Sequence, residues 1–138
     1  MLYAGTFRRY PNIKFIAARG GGALSLPADG LELLGTEPWV PNPNNITKEQ
    51  LSGLYVETAA LGVAAMLTAL RLVGKGHVVY GADCEVPCST EATMEENRQN
   101  ILAYEGFTEE KDAIGHNVKV LFAEAVKRMK GMANGDAH

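Results

Sequence analysis

The chain has 138 residues, 46% of them hydrophobic and 21% charged, which fits one globular domain and excludes wholesale disorder. Thirteen Lys and Arg against sixteen Asp and Glu leave a net charge of −3, so the basic face that a nucleic-acid grip needs is not expected. In chain order, the start (Met1-Leu-Tyr-Ala-Gly-Thr-Phe-Arg-Arg) has no basic stretch followed by an apolar run, so no signal peptide is expected. A first strand is predicted at Lys14–Ala18, rich in Phe and Ile and bounded by polar residues. Arg19-Gly-Gly-Gly follows and is expected to open a helical segment. The stretch from Gly35 to Asn45 holds three prolines and Trp39, shows no periodicity and reads as a long loop with the Trp as its anchor. Thr47-Lys-Glu-Gln has the form of a capping box that starts a short helix.

A second strand is predicted at Leu54–Val56 and a third at His77–Tyr80. Neither alternates for long, which suits strands covered on both faces. Between them Val63, Met66, Leu67, Leu70 and Val73 recur at the spacing of a helix that packs on a sheet. The apolar stretch Ala59–Val73 is too short to span a bilayer and contains Thr68 and Arg71, so a cytoplasmic protein with no membrane partner is expected. Met94–Tyr104 predicts a further helix with Thr90 or Thr93 as its cap, and Thr108-Glu-Glu-Lys a first helical turn. Val118, Leu121, Phe122, Ala125 and Met129 predict a core-facing stripe near the C-terminus. The expectation is one domain over residues 1–130, α/β with parallel strands alternating with helices, and a frayed tail over 131–138.

Parallel sheets place their sites at the C-terminal ends of the strands, and three groups fall there. Arg19 with Gly20, Gly21 and Gly22 reads as an anion cradle: glycines let backbone approach a ligand, and a guanidinium fork suits a carboxylate or phosphate. A tight turn with a solvated Arg reads equally well. The run matches neither the dinucleotide fingerprint nor a P-loop. Glu57 ends the second strand and Asp83 follows the third, so the two carboxylates are expected on one rim with Arg19. Asp83 reads as a metal ligand, a base or a loop cap, and the trio as a working cluster or a structural ion-pair network. Cys84, Glu85 and Cys88 are conceivable as a thiolate–carboxylate metal cluster, but they lack nearby His partners and Cys-x-x-x-Cys alone is a poor zinc signature. His77 starts a strand away from the rim, and His116 is read as leading into the last helix.

Taken together, the blocks Phe7-Arg-Arg-Tyr-Pro-Asn-Ile-Lys-Phe-Ile, Ala18-Arg-Gly-Gly-Gly, Leu54-Tyr-Val-Glu-Thr-Ala, Val79-Tyr-Gly-Ala-Asp and Asn117 to Phe122 resemble the C-terminal part of the amidohydrolase-related metalloenzymes, among them the aminocarboxymuconate-semialdehyde, methylsalicylate and resorcylate decarboxylases. The resemblance covers about residues 5 to 126 and implies the last three β/α units of a (β/α)8 TIM barrel. It implies a metal-dependent hydrolase or decarboxylase acting on small carboxylic acids, with Asp83 as a ligand of a divalent metal such as zinc. Arg19 stands where the family has a catalytic His, and the family's His-x-His and further metal-binding His have no counterpart. The Asp-Cys-Glu-Val-Pro beginning at Asp83 also differs from the Asp-Tyr-Pro frequent in the family. The resulting expectation is a truncated or diverged relative, not active as an isolated chain, in which Asp83 holds a metal, Arg19 grips a substrate carboxylate and Glu57 positions water. The alternative is a non-catalytic anion-binding or interaction module. Open sheet edges predict a homo-oligomer or a complementary chain as partner.

Overall fold

The computed structural model describes residues 4–25, 30, 37–40, 48–59, 61–84, 86–87, 89–103 and 108–135. A short helix α1 (Thr6–Arg9) leads to strand β1 (Ile16–Ala17), and Phe7 meets Phe15 edge to face at 4.8 Å between ring centres. Helix α2 (Lys48–Ser52) precedes β2 (Tyr55–Glu57), α3 (Val63–Val73) precedes β3 (Val78–Val79), and α4 (Glu91–Ala103), α5 (Thr108–Leu121) and α6 (Ala123–Gly135) follow among the described residues. The strands form a parallel sheet in the order β1-β2-β3, with Ala17 beside Val56 and Val56 beside Val78. This is the expected α/β alternation.

The core lies on the helix-covered face, where Val56 and Val78 pack with Leu51, Leu54, Met66, Ala69, Val73, Ile101 and Ile114. The α3 stripe behaves as its spacing predicts. Met66 and Val73 are buried, and Val63, Leu67 and Leu70 pack partly against the same cluster. Thr90 is the cap of α4: its hydroxyl accepts from the Thr93 N–H at 3.2 Å while the Thr93 hydroxyl accepts from the Thr90 N–H at 2.9 Å. On the solvent face of α4, Arg98 grips Glu95 through Nε and Nη2, and with Gln99 this holds the Glu95 carboxyl at about 2.

The C-terminal stripe is a correction. The chain turns at Phe122 between α5 and α6, so the predicted stripe does not lie on one helix. Val118, Phe122 and Met129 are exposed, the last at 70%, and α5 instead buries Ile114 and Asn117, three apart on the adjacent face. Asn117 carries the attachment, its Nδ2 donating to the Lys75 carbonyl at 2.6 Å and the Val78 carbonyl at 2.7 Å. The Val79 carbonyl accepts from the Thr58 N–H on the β2 side. Adjacent carbonyls on a strand point to opposite sides, so Asn117 satisfies the outer edge of β3.

His77 lies at the opposite end of the sheet from the rim, with Nδ1 against the Ser52 carbonyl and its ring 4.6 Å from that of Tyr55. His116 falls within α5 and is exposed, not at a helix start. Residues 131–135, expected as the start of the tail, continue α6. Of the long loop only 37–40 are described; Val40 is buried there and Trp39 is 64% exposed. Thr47, Glu85 and Cys88 lie outside the described residues, and Cys84 is an exposed free thiol. Among the described residues no helix is long and apolar enough to cross a membrane.

Candidate functional site

The three side chains expected on the rim are brought together there. Arg19 Nη2 reaches Asp83 Oδ2 at 2.7 Å, joining the end of β1 to the loop after β3. The Asp83 side chain is 21% exposed and that of Arg19 51%, so the carboxylate is the enclosed partner and the guanidinium the one facing solvent. Between them, Glu57 accepts the Arg19 backbone N–H on Oε1 and the Ala59 N–H on Oε2, the latter at 2.7 Å. Its carboxylate therefore ties the ends of β1 and β2 through backbone amides.

The helical segment expected to open at Arg19 is of the 3-10 kind, over Arg19–Ser25. Arg19 (φ 51°), Gly20 (φ 65°), Gly21 (φ 83°) and Gly22 (φ 57°) all have positive φ, so its first four residues turn tightly in the left-handed region. Gly20 is required twice over: a Cβ there would also stand 2.9 Å from Leu61 Cδ1. Asp83 has φ 55°, so both members of the ion pair are non-glycine residues held in the left-handed region.

Gly81 ties β3 to its neighbours, a role that nothing in the sequence marks. Its N–H donates to the Thr58 hydroxyl at 3.2 Å, and its carbonyl accepts from Asn97 Nδ2 at 3.1 Å. A Cβ on Gly81 would fall on Glu57 Oε2. Thr58 is fully buried and Asn97 nearly so. Asn97 stands one turn before the buried Ile101, and that i, i+4 relation was the signal available in the sequence. Beside the rim, an open groove of about 610 Å³ runs between Tyr80, Ala82 and the start of α4; its one cation, Arg98, is engaged by Glu95.

The donor set of the described residues does not fit a resident divalent metal. Among the described residues no three His, Cys, Asp or Glu side chains gather around one point. On the rim the Asp83 carboxylate faces a guanidinium and the Glu57 carboxylate faces two amides. A catalytic zinc takes about three protein ligands and an open position.

No family model matches the sequence, and no curated protein does. Solved structures do. The fold is similar to a dihydroxybenzoic acid decarboxylase from Polaromonas with bound manganese and the inhibitor 2-nitroresorcinol (TM-score 0.69, 19% identity, 88% of this chain and 37% of that one). It is similar also to 2,6-dihydroxybenzoate decarboxylase from Rhizobium (TM-score 0.73, 14% identity, 90% and 39%) and to 5-carboxyvanillate decarboxylase from Sphingomonas paucimobilis (TM-score 0.71, 18% identity, 89% and 37%). The chain thus spans little more than a third of the length of these TIM-barrel decarboxylases, and its fold is that of part of such a barrel.

Proposed function

We propose that this chain forms the substrate-side rim of an amidohydrolase-related decarboxylase fold and binds a small aromatic carboxylic acid there. Arg19 receives the ligand carboxylate, the Gly20–Gly22 turn lets backbone approach it, and metal-dependent decarboxylation or hydrolysis is not completed by these residues alone. The observation that supports this most is the Arg19–Asp83 pair, set on the C-terminal ends of the strands with the guanidinium toward solvent. A guanidinium can donate two parallel N–H bonds to a carboxylate, which fixes orientation as well as charge. Glu57 holds the Arg19 backbone in place and keeps its carboxylate turned away from the ligand.

The test is calorimetric titration of 2,6-dihydroxybenzoate into the wild-type chain and into Arg19→Ala. The substitution is expected to weaken binding about 10- to 100-fold, the loss of a charged hydrogen-bonded pair. Equal affinity in both proteins, or no binding to the wild type, would refute the reading.

Association accompanies this function. The outer strands leave Ile16 44% exposed and Tyr80 follows β3 at 40%, surfaces that the remaining strands of a barrel would cover. A complementary chain or further copies of this one take that place. Light scattering is expected to give a mass above that of one chain, rising with concentration; a monodisperse monomer at high concentration would exclude self-association.

A further inference from the structure

We infer that the Arg19 guanidinium is the resident cation of this rim and that Asp83 is its positioning residue, so that the carboxylate site works without a divalent metal. The inference rests on the carboxylate-binding reading and gives its charge an origin. Asp83 Oδ2 lies 2.7 Å from Arg19 Nη2, so the carboxylate best placed to ligate a metal already has a positive partner in contact. A guanidinium cannot step aside by losing its proton, as a histidine or lysine would, and a metal ion beside it would meet like charge. Both Glu57 oxygens already accept a backbone N–H, from Arg19 and from Ala59, so a metal there would share each oxygen with a donor.

The backbone separates this pair from the ordinary ion pairs of the surface. Arg98–Glu95 and Lys127–Glu124 join residues one turn apart on regular helices, and Lys75–Glu109 spans 34 residues with neither member at a positive φ. Arg19 and Asp83 come from segments 64 residues apart, and each holds a left-handed φ, uncommon for an arginine and more usual for an aspartate. Such conformations persist where the surroundings over-determine them, and here both serve to bring one guanidinium to the rim.

The experiment titrates manganese chloride alone, and 2,6-dihydroxybenzoate with and without excess chelator, into the full chain and its Asp83→Asn and Asp83→Glu variants. No saturable manganese binding is expected in the millimolar range or below. The dihydroxybenzoate affinity should be the same with and without chelator, fall about tenfold or more in Asp83→Asn, and recover in part in Asp83→Glu, with melting temperatures separating positioning from unfolding. Saturable manganese binding that disappears in Asp83→Asn would overturn the inference, as would an affinity abolished by chelator. Failure of dihydroxybenzoate to bind the wild type at all would refute the carboxylate reading instead, and the manganese titration would still decide the cation.

Discussion

Asn117→Asp is expected to lower the unfolding free energy by about 3 kcal/mol, which for a chain of this length is a melting temperature lower by about 10 °C. The Asn117 amide donates to two carbonyls, those of Lys75 and Val78, from a position only 7% exposed. An aspartate has no donor to offer while ionised and would place a carboxylate against two oxygens. Each carbonyl left unpaired costs about 1–3 kcal/mol when water cannot replace the lost partner. Asn117→Ala should fall short of the aspartate variant, because it removes the donor without adding charge. Val120→Ser on the exposed side of α5 is the control, with a change within about 0.5 kcal/mol. Denaturant unfolding of the three variants checks this order. An aspartate variant as stable as the control would mean that α5 is held by its apolar contacts alone.

That residue also shows where the sequence stops being readable. Apolar spacing placed α3 and all three strands, because Met66, Val73, Val56 and Val78 are buried for the same reason that they recur. The same counting misread the C-terminal stripe. It ranked Val118 and Met129 as core because they are apolar, and it could not see that a buried amide, Asn117, was orienting α5. Thr58 and Asn97 are hidden likewise: buried polar side chains look like surface until their backbone partners are known.

The rim was legible as a place, since strand ends are fixed by the apolar runs that precede them. Its wiring was not. One cation beside two carboxylates suggests ion pairs throughout, yet Glu57 answers backbone amides while Asp83 answers the guanidinium at 2.7 Å. The left-handed φ of Arg19 is equally invisible in the sequence, because non-glycine residues rarely adopt it. The helical segment expected at Arg19 takes 3-10 form over residues 19–25, and the run of positive φ through Gly22 is what keeps its first residues out of the right-handed region.

Gly81→Ala is expected to cost about 2–3 kcal/mol in the wild-type chain and less than about 1 kcal/mol in a Glu57→Ala background. The added Cβ would take the position of Glu57 Oε2 and stand 2.9 Å from Glu57 Cδ, so the carboxylate must leave. The Glu57 stem can rotate, so the steric clash itself is relieved cheaply. What is lost is the pair of charge-assisted bonds to the Arg19 and Ala59 N–H groups, each worth about 1.5–3 kcal/mol when buried and less at a half-exposed site. With Glu57 already truncated, the methyl enters vacated space, and only a 3.2 Å contact with the Glu57 Cβ remains. The double-mutant cycle should therefore give sub-additivity of about 2 kcal/mol. Equal costs in both backgrounds would place the strain in Gly81's own backbone contacts with Thr58 and Asn97, and would free Glu57 from the clasp assigned to it. The cycle bears on function as well as stability. Glu57 holds the Arg19 N–H, so its eviction shifts the backbone that presents the guanidinium, and ligand affinity should fall in Gly81→Ala although no atom of Gly81 touches the ligand.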